Sequence, residues 1–119
     1  MARVVITASA DADSAAILDY LNVKAGQPTV VKYRALFRRL YDRLADHPDS
    51  GAPRPALGPS IRIGVVSPYI VIYRHVEAAD IVTILRIVHG RRRAPAMPHA
   101  ANRLSAASAA WAAISIPSR

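Results

Sequence analysis

Three β-type runs, Ile61 to Val66, Tyr69 to His75 and Ile81 to Val88, follow one another with little more than Ser67-Pro68 and Glu77-Ala78-Ala79-Asp80 between them. Parallel neighbours need a crossover of a dozen or more residues, so connections this short dictate an antiparallel meander. Alternation along each run sets Arg62 opposite in facing to Ile61 and Ile63, and Arg74 and Arg86 opposite in facing to Tyr73 and to Leu85 and Ile87. That pattern predicts one sheet face carrying arginines.

Upstream, Val4-Val5-Ile6-Thr7 reads as a short strand, and Ser9-Ala10-Asp11-Ala12-Asp13 supplies helix N-cap candidates. From Asp13 to Ala25, Ile17, Tyr20, Leu21 and the small Ala16 fall at helical spacing, and Gly26 is placed to close the helix. Pro28 suits the first position of a second helix. Through Val30, Tyr33, Phe37, Leu40 and Leu44 the steps are 3, 4, 3 and 4, a continuous apolar stripe. This helix ends near Asp46, because His47-Pro48 and Asp49-Ser50-Gly51-Ala52-Pro53-Arg54-Pro55 break it. The predicted fold is α+β: an N-terminal strand, a helical hairpin, then a three-stranded antiparallel meander with the hairpin on one face.

Charge narrows the partners. The 119 residues carry 16 Lys and Arg against 8 Asp and Glu, a formal net charge of +8, while 52% hydrophobic residues mark a folded body and not a basic tail. From Ala94 to Arg119 the only charged residues are Arg103 and Arg119, which leaves 14 bases against 8 acids, or +6, on residues 1–93. The chain therefore divides into a body, 1–93, and an Ala/Ser-rich extension, 94–119. No cysteine is present, which excludes disulfide frameworks and thiol chemistry, and neither histidines nor carboxylates show metal-ligand spacing. No metal or cofactor is expected. No apolar run reaches the roughly 20 residues of a membrane span, and polar residues interrupt the N-terminal apolar segment too early for a signal peptide. A cytoplasmic location follows as the expectation.

The body resembles the ParE/RelE superfamily of type II toxin–antitoxin toxins over about residues 3 to 93. The resemblance rests on Val5-Ile6-Thr7 with Ala10, Asp11 and Asp13; on Ile17-Leu18-Asp19-Tyr20-Leu21; and on Leu40 with Leu44-Ala45-Asp46-His47-Pro48-Asp49-Ser50-Gly51. Ile61-Arg62, Pro68-Tyr69-Ile70-Val71-Ile72-Tyr73-Arg74 and Ile84-Leu85-Arg86-Ile87-Val88-His89-Gly90-Arg91-Arg92 complete it. RelE-like members are implied to be ribosome-dependent messenger RNA endonucleases. They usually carry an arginine directly after the tyrosine that opens the third strand, and often a tyrosine in the terminal segment. Here Ile70 follows Tyr69, and no tyrosine occurs after Tyr73. His75 and His89 could take acid–base roles, but their places at strand ends read first as structural. His89-Gly90 closes the last strand, with Gly90 expected to supply an unusual backbone angle.

The Pro68-Tyr69-Ile70 hairpin and the His89-Gly90-Arg91-Arg92 ending resemble the ParE-like branch. That branch is implied to act without catalysis, by binding DNA gyrase, and to be neutralised by a cognate ParD-like or other acidic antitoxin. The resemblance then points to Arg62, Tyr69, Arg74, Arg86, His89, Arg91, Arg92 and Arg93 as target or partner contacts. The alternatives are an RelE-type endonuclease acting on ribosome-bound messenger, or an inactive homologue that only binds. Independently of the family, Arg34, Arg38, Arg39 and Arg43 occupy i, i+4, i+5 and i+9 of the second helix, a basic stripe beside the apolar one that reads either as a solvated face or as the seat of an acidic partner segment or nucleic acid; with the resemblance, that partner is the antitoxin. In the extension, Leu104, Ala107, Trp111 and Ile114 predict a short helix from about His99 to Ser115.

Arg91-Arg92-Arg93 is the densest basic cluster in the chain. Replacing all three by Ala is expected to abolish growth arrest on induction while leaving circular dichroism and melting unchanged; undiminished arrest would remove the cluster from the target surface.

Overall fold

A computed structural model describes residues 1–90. The Arg91–Arg93 cluster, the boundary at residue 93 and the helix expected from His99 lie outside the described residues. In chain order the elements are β1 (Arg3–Ile6), α1 (Ala8–Ala25), α2 (Gln27–Asp46), β2 (Ala52–Pro53), a 3-10 turn (Pro55–Leu57), β3 (Ile61–Val66), β4 (Tyr69–Val76) and β5 (Ile81–His89). They form two helices and one five-stranded mixed sheet of order β1-β5-β4-β3-β2. The meander β3-β4-β5 is antiparallel, as its short connections require. β1 pairs in parallel with β5, Arg3 opposite Ile81 through Ile6 opposite Ile84, so the helical hairpin is part of the crossover that joins the first strand to the last.

The hairpin turns at Gly26, whose φ of 86° suits a residue without Cβ, and whose N–H donates to the Leu21 and Asn22 carbonyls. α2 lays Phe37, Leu40 and Leu44 against Val66, Tyr69, Val71, Tyr73, Val82, Ile84 and Ile87 of the sheet. Contact is closest at Gly64, where a Cβ would stand 2.9 Å from a Leu40 methyl. α1 buries far less. Ala10 is its one buried residue, Ile17 and Leu21 are half-buried, and Tyr20, expected on the inner face, is 58% exposed with Ala16 also facing out. A second cluster, Ile61, Ile63, Ile72 and Leu85 with Leu57 of the 3-10 turn, packs on the opposite sheet face.

Two differences from the sequence reading change where side chains point. Arg62 lies across from Tyr73, on the helix side, while Arg74 lies across from Ile61 on the other side, so the arginines do not share a face. In β5 the register runs from Tyr73 opposite Ile84 to Ile72 opposite Arg86, a β-bulge that leaves Leu85 without a partner. Strict alternation from Ile84 would turn Arg86 toward the helices. The bulge instead gives that place to Ile87 and sends Leu85 and Arg86 to the same side.

The α1 N-cap is Thr7, earlier than the Ser9–Asp13 cluster predicted, because Thr7 directly follows β1, where its hydroxyl serves both the helix and the edge of β5. Thr7 Oγ1 accepts the Ala10 N–H at 3.1 Å and donates to the Ile84 carbonyl at 2.8 Å, with the Leu85 carbonyl 3.2 Å away. Past Ile84 the edge of β5 has no strand beside it among the described residues. Asp13 takes over there: Oδ2 accepts the Ile87 N–H at 2.9 Å and Arg86 Nε at 2.7 Å, and Oδ1 accepts Arg86 Nη2 at 3.1 Å. At the far end Gly90 donates to the Pro68 carbonyl at 2.6 Å. A Cβ on Gly90 would meet that oxygen at 2.9 Å, so close approach, not the expected unusual backbone angle, calls for glycine.

Asp13→Ala removes a half-buried charge-assisted pair and strands the Ile87 N–H, an expected loss of about 2–3 kcal/mol in unfolding free energy by urea denaturation. Arg86→Ala is expected to cost less, since Asp13 still serves Ile87.

Candidate functional site

α2 is a ridge with a groove on each side. Toward β3, Leu36, Leu40, Val65, Val66 and Ser67 line an open groove of about 530 Å³ with Arg39 and Arg43 among its lining residues. Toward α1 and β1, a wider groove of about 1010 Å³ has an apolar lining of Val4, Ile6, Leu18, Val31, Ala35, Phe37 and Tyr41, joined by Arg34, Arg38, Asp11 and Asp42. The four arginines predicted as one stripe therefore fall into two pairs. Helical geometry explains the split: positions five apart on a helix are displaced by well over a quarter turn, so Arg34 and Arg39 cannot share a narrow face. All four are exposed, and none forms an ion pair among the described residues.

The two grooves differ electrostatically. The β3-side groove is lined by cations without an acid, whereas the α1-side groove balances Arg34 and Arg38 with Asp11 and Asp42. β2 pairs only with Arg62 and Ile63, so among the described residues no strand pairs with the outer edge of β3 from Gly64 to Val66, beside the cationic groove. Val65 there is 58% exposed. On the α1 side, burial pushes the Tyr41 hydroxyl up to about 12, with nearby Ser14 opposing, and the oxygen has no partner within hydrogen-bond geometry among the described residues. It stays a neutral phenol at physiological pH.

The residues predicted as target contacts separate on inspection of their surroundings. Tyr69 is 5% exposed and serves the core: its ring meets Tyr33 edge-on at 5.8 Å, Phe37 at 6.1 Å and His89 edge-on at 5.6 Å. Its ring is thus committed to the core. Arg86 is committed to Asp13 and acts as a positioning residue for α1. Arg62 is likewise engaged, Nη1 donating to the Asp49 carbonyl at 2.9 Å and the Gly51 carbonyl at 2.7 Å, with Asp49 Oδ1 3.6 Å from Nε. Arg74 is half-buried on the other sheet face. His89 stays beside Tyr69 at the end of β5.

Sequence spacing missed one cluster. Gly51 packs so closely on β3 and β4 that a Cβ would collide with the Ile63 carbonyl and the Tyr73 hydroxyl, and its N–H donates to that hydroxyl at 2.9 Å. The tight contact draws the loop after α2 onto the end of the meander. There His75 Nδ1 lies 3.1 Å from Asp49 Oδ1 and Nε2 lies 2.9 Å from Asp80 Oδ1. Asp49 and His75 are 26 residues apart, beyond any local motif.

A family model described as the ParE toxin of type II toxin–antitoxin system, parDE, matches residues 4–94. The chain belongs to the ParE toxin family. Among solved structures, a chain titled "Chromosomal ParDE TA system from P. aeruginosa" is similar at 27% identity and a TM-score of 0.63, over 75% of this chain and 96% of that one. Among curated proteins no match was found. The ParE assignment agrees with the strand, hairpin and meander order, and no helix among the described residues is long and apolar enough to cross a membrane.

Burial of the His75 ring pulls its pKa down, but hydrogen bonds and charge attraction from Asp80 and Asp49 outweigh this and raise it above 6.5. A raised folded pKa gives stability that is complete below the unfolded value, about 6.5, and is lost as pH rises through the folded one. The stability difference between the native chain and His75→Gln is therefore expected to shrink from pH 6 toward pH 9 in urea titrations; a pH-independent difference would contradict the charged clamp.

Proposed function

We propose that this ParE-family toxin arrests growth in the cytoplasm by binding DNA gyrase without catalysis, and that an acidic antitoxin segment neutralises it by seating in the groove between α2 and β3. One observation carries the antitoxin reading: that groove joins an apolar lining of Leu36, Leu40, Val65 and Val66 to Arg39 and Arg43, two cations with no carboxylate partner among the described residues. An extended acidic segment there gains apolar burial, charge pairing and backbone hydrogen bonds to the open edge of β3 together. A disordered antitoxin tail meets its ordering entropy only on contact, which suits reversible neutralisation.

Family membership supports gyrase as the target. The RelE-type alternative needs a base, an acid and free cations on an open surface. Tyr69 is buried and Arg86 is held by Asp13, which weighs against that chemistry. The toxin body is assigned to residues 1–93, with Arg91, Arg92 and Arg93 at its exit and 94–119 as an extension.

Purified protein incubated with gyrase and supercoiled plasmid is expected to accumulate trapped cleavage complexes and to leave ribosome-bound messenger intact. Cleaved messenger with unaffected gyrase would replace this reading by the endonuclease one. Arg39→Glu combined with Arg43→Glu is expected to weaken binding of the antitoxin by about 10-fold or more, the scale of lost interfacial charge pairs, whereas reversal of Arg34 and Arg38 has the smaller effect.

A further inference from the structure

Three of the eight acidic residues in this strongly basic chain gather around one imidazole. Asp49, from the loop after α2, and His75 and Glu77, from the end of β4 and the turn beyond it, bring one ligand atom each within 4.8 Å of one another. The fourth member lies outside that trio: Asp80 Oδ1 stands 2.9 Å from His75 Nε2, on the far side of the ring from Asp49. A carboxylate on the distal nitrogen is the outer support that fixes ring orientation and tautomer in metal-ligating histidines, leaving the other nitrogen's lone pair for a cation. The His75 side chain is only 10% exposed, so its aim is set by packing. Asp49 and Glu77 are exposed, which leaves an approach from solvent.

We propose that Asp49, His75 and Glu77 form a binding site for a divalent first-row transition cation of the Zn²⁺ class, with His75 Nδ1 and one oxygen of each carboxylate as ligands and Asp80 as the support of the ring. One imidazole with two carboxylates is a borderline donor set, which favours Zn²⁺ and its neighbours over Ca²⁺ or Mg²⁺. Three protein ligands leave a coordination position for water. The ion ties the loop after α2 to the far end of the meander, across a separation of 26 residues between Asp49 and His75. It supplements the contact of Arg62 Nε with Asp49, at 3.6 Å the longest ion pair among the described residues. The site is independent of the toxin reading, since neither groove beside α2 includes any of its ligands.

The test is Zn²⁺ alone, titrated calorimetrically into the full chain stripped with chelator, with Co²⁺ absorption as the spectroscopic readout. One Zn²⁺ per chain is expected, with a rise of at least about 5 °C in Tm at a hundredfold excess over Kd, and no such rise with Mg²⁺ or Ca²⁺. His75→Gln is expected to abolish binding, and Asp80→Asn to weaken it by about 10–100-fold, as loss of an outer-shell partner does. Glu77→Gln keeps the test clear of misfolding, because the exposed Glu77 side chain makes no hydrogen bond or ion pair among the described residues; a loss of about 10-fold or more is expected there too. Unchanged Zn²⁺ affinity in Glu77→Gln or His75→Gln, an equal response to Mg²⁺, or no uptake by the native chain would each overturn the proposal.

Discussion

The architecture depends on how the edge of β5 is finished. β1 covers that edge only as far as Ile84, yet β5 continues to His89. Unpaired backbone groups there would cost free energy and offer a template for another chain. Thr7 and Asp13 meet the need from the start of α1, one answering carbonyls and the other an N–H with an arginine attached. The same contacts hold a helix that has little apolar surface to bury, with Ala10 as its single buried residue. Polar stitching to the sheet thus does for α1 what an apolar stripe does for α2.

How much was legible in the sequence follows from which interactions are local. The 3-4-3-4 stripe of α2, the Gly26 break and the antiparallel meander all rest on spacing within a few residues, and the structure reproduces them. The bulge at Leu85 is invisible to alternation, because it is a mismatch between two strands and not a property of either. It alone decides that Ile87 and not Arg86 faces the helices. The arginine face failed for a related reason: Arg62 and Arg74 were each judged against their own strand neighbours, and the register between strands was needed to compare them. Tyr69 read as a surface hairpin residue, yet the Tyr33, Phe37 and His89 rings that enclose it come from two other elements. The His75 cluster spans 26 residues and could be assembled only by the fold.

Separation of the α2 arginines into two pairs also changes how the charge of the chain works. A net charge of +8 suggests a general attraction for polyanions. In the fold, Arg62 and Arg86 are consumed by internal acceptors, Arg34 and Arg38 share their groove with acids, and Arg39 and Arg43 remain beside an apolar floor and an open strand edge. Local arrangement, more than total charge, separates an acidic segment with apolar side chains from a plain polyanion.

The bond from Gly90 to the Pro68 carbonyl has a mechanical consequence. It fastens the end of β5 to the β3–β4 turn, one residue from Ser67 in the lining of the cationic groove. The bond therefore works as a clasp: the turn that forms one end of the groove cannot shift without carrying the end of β5 with it.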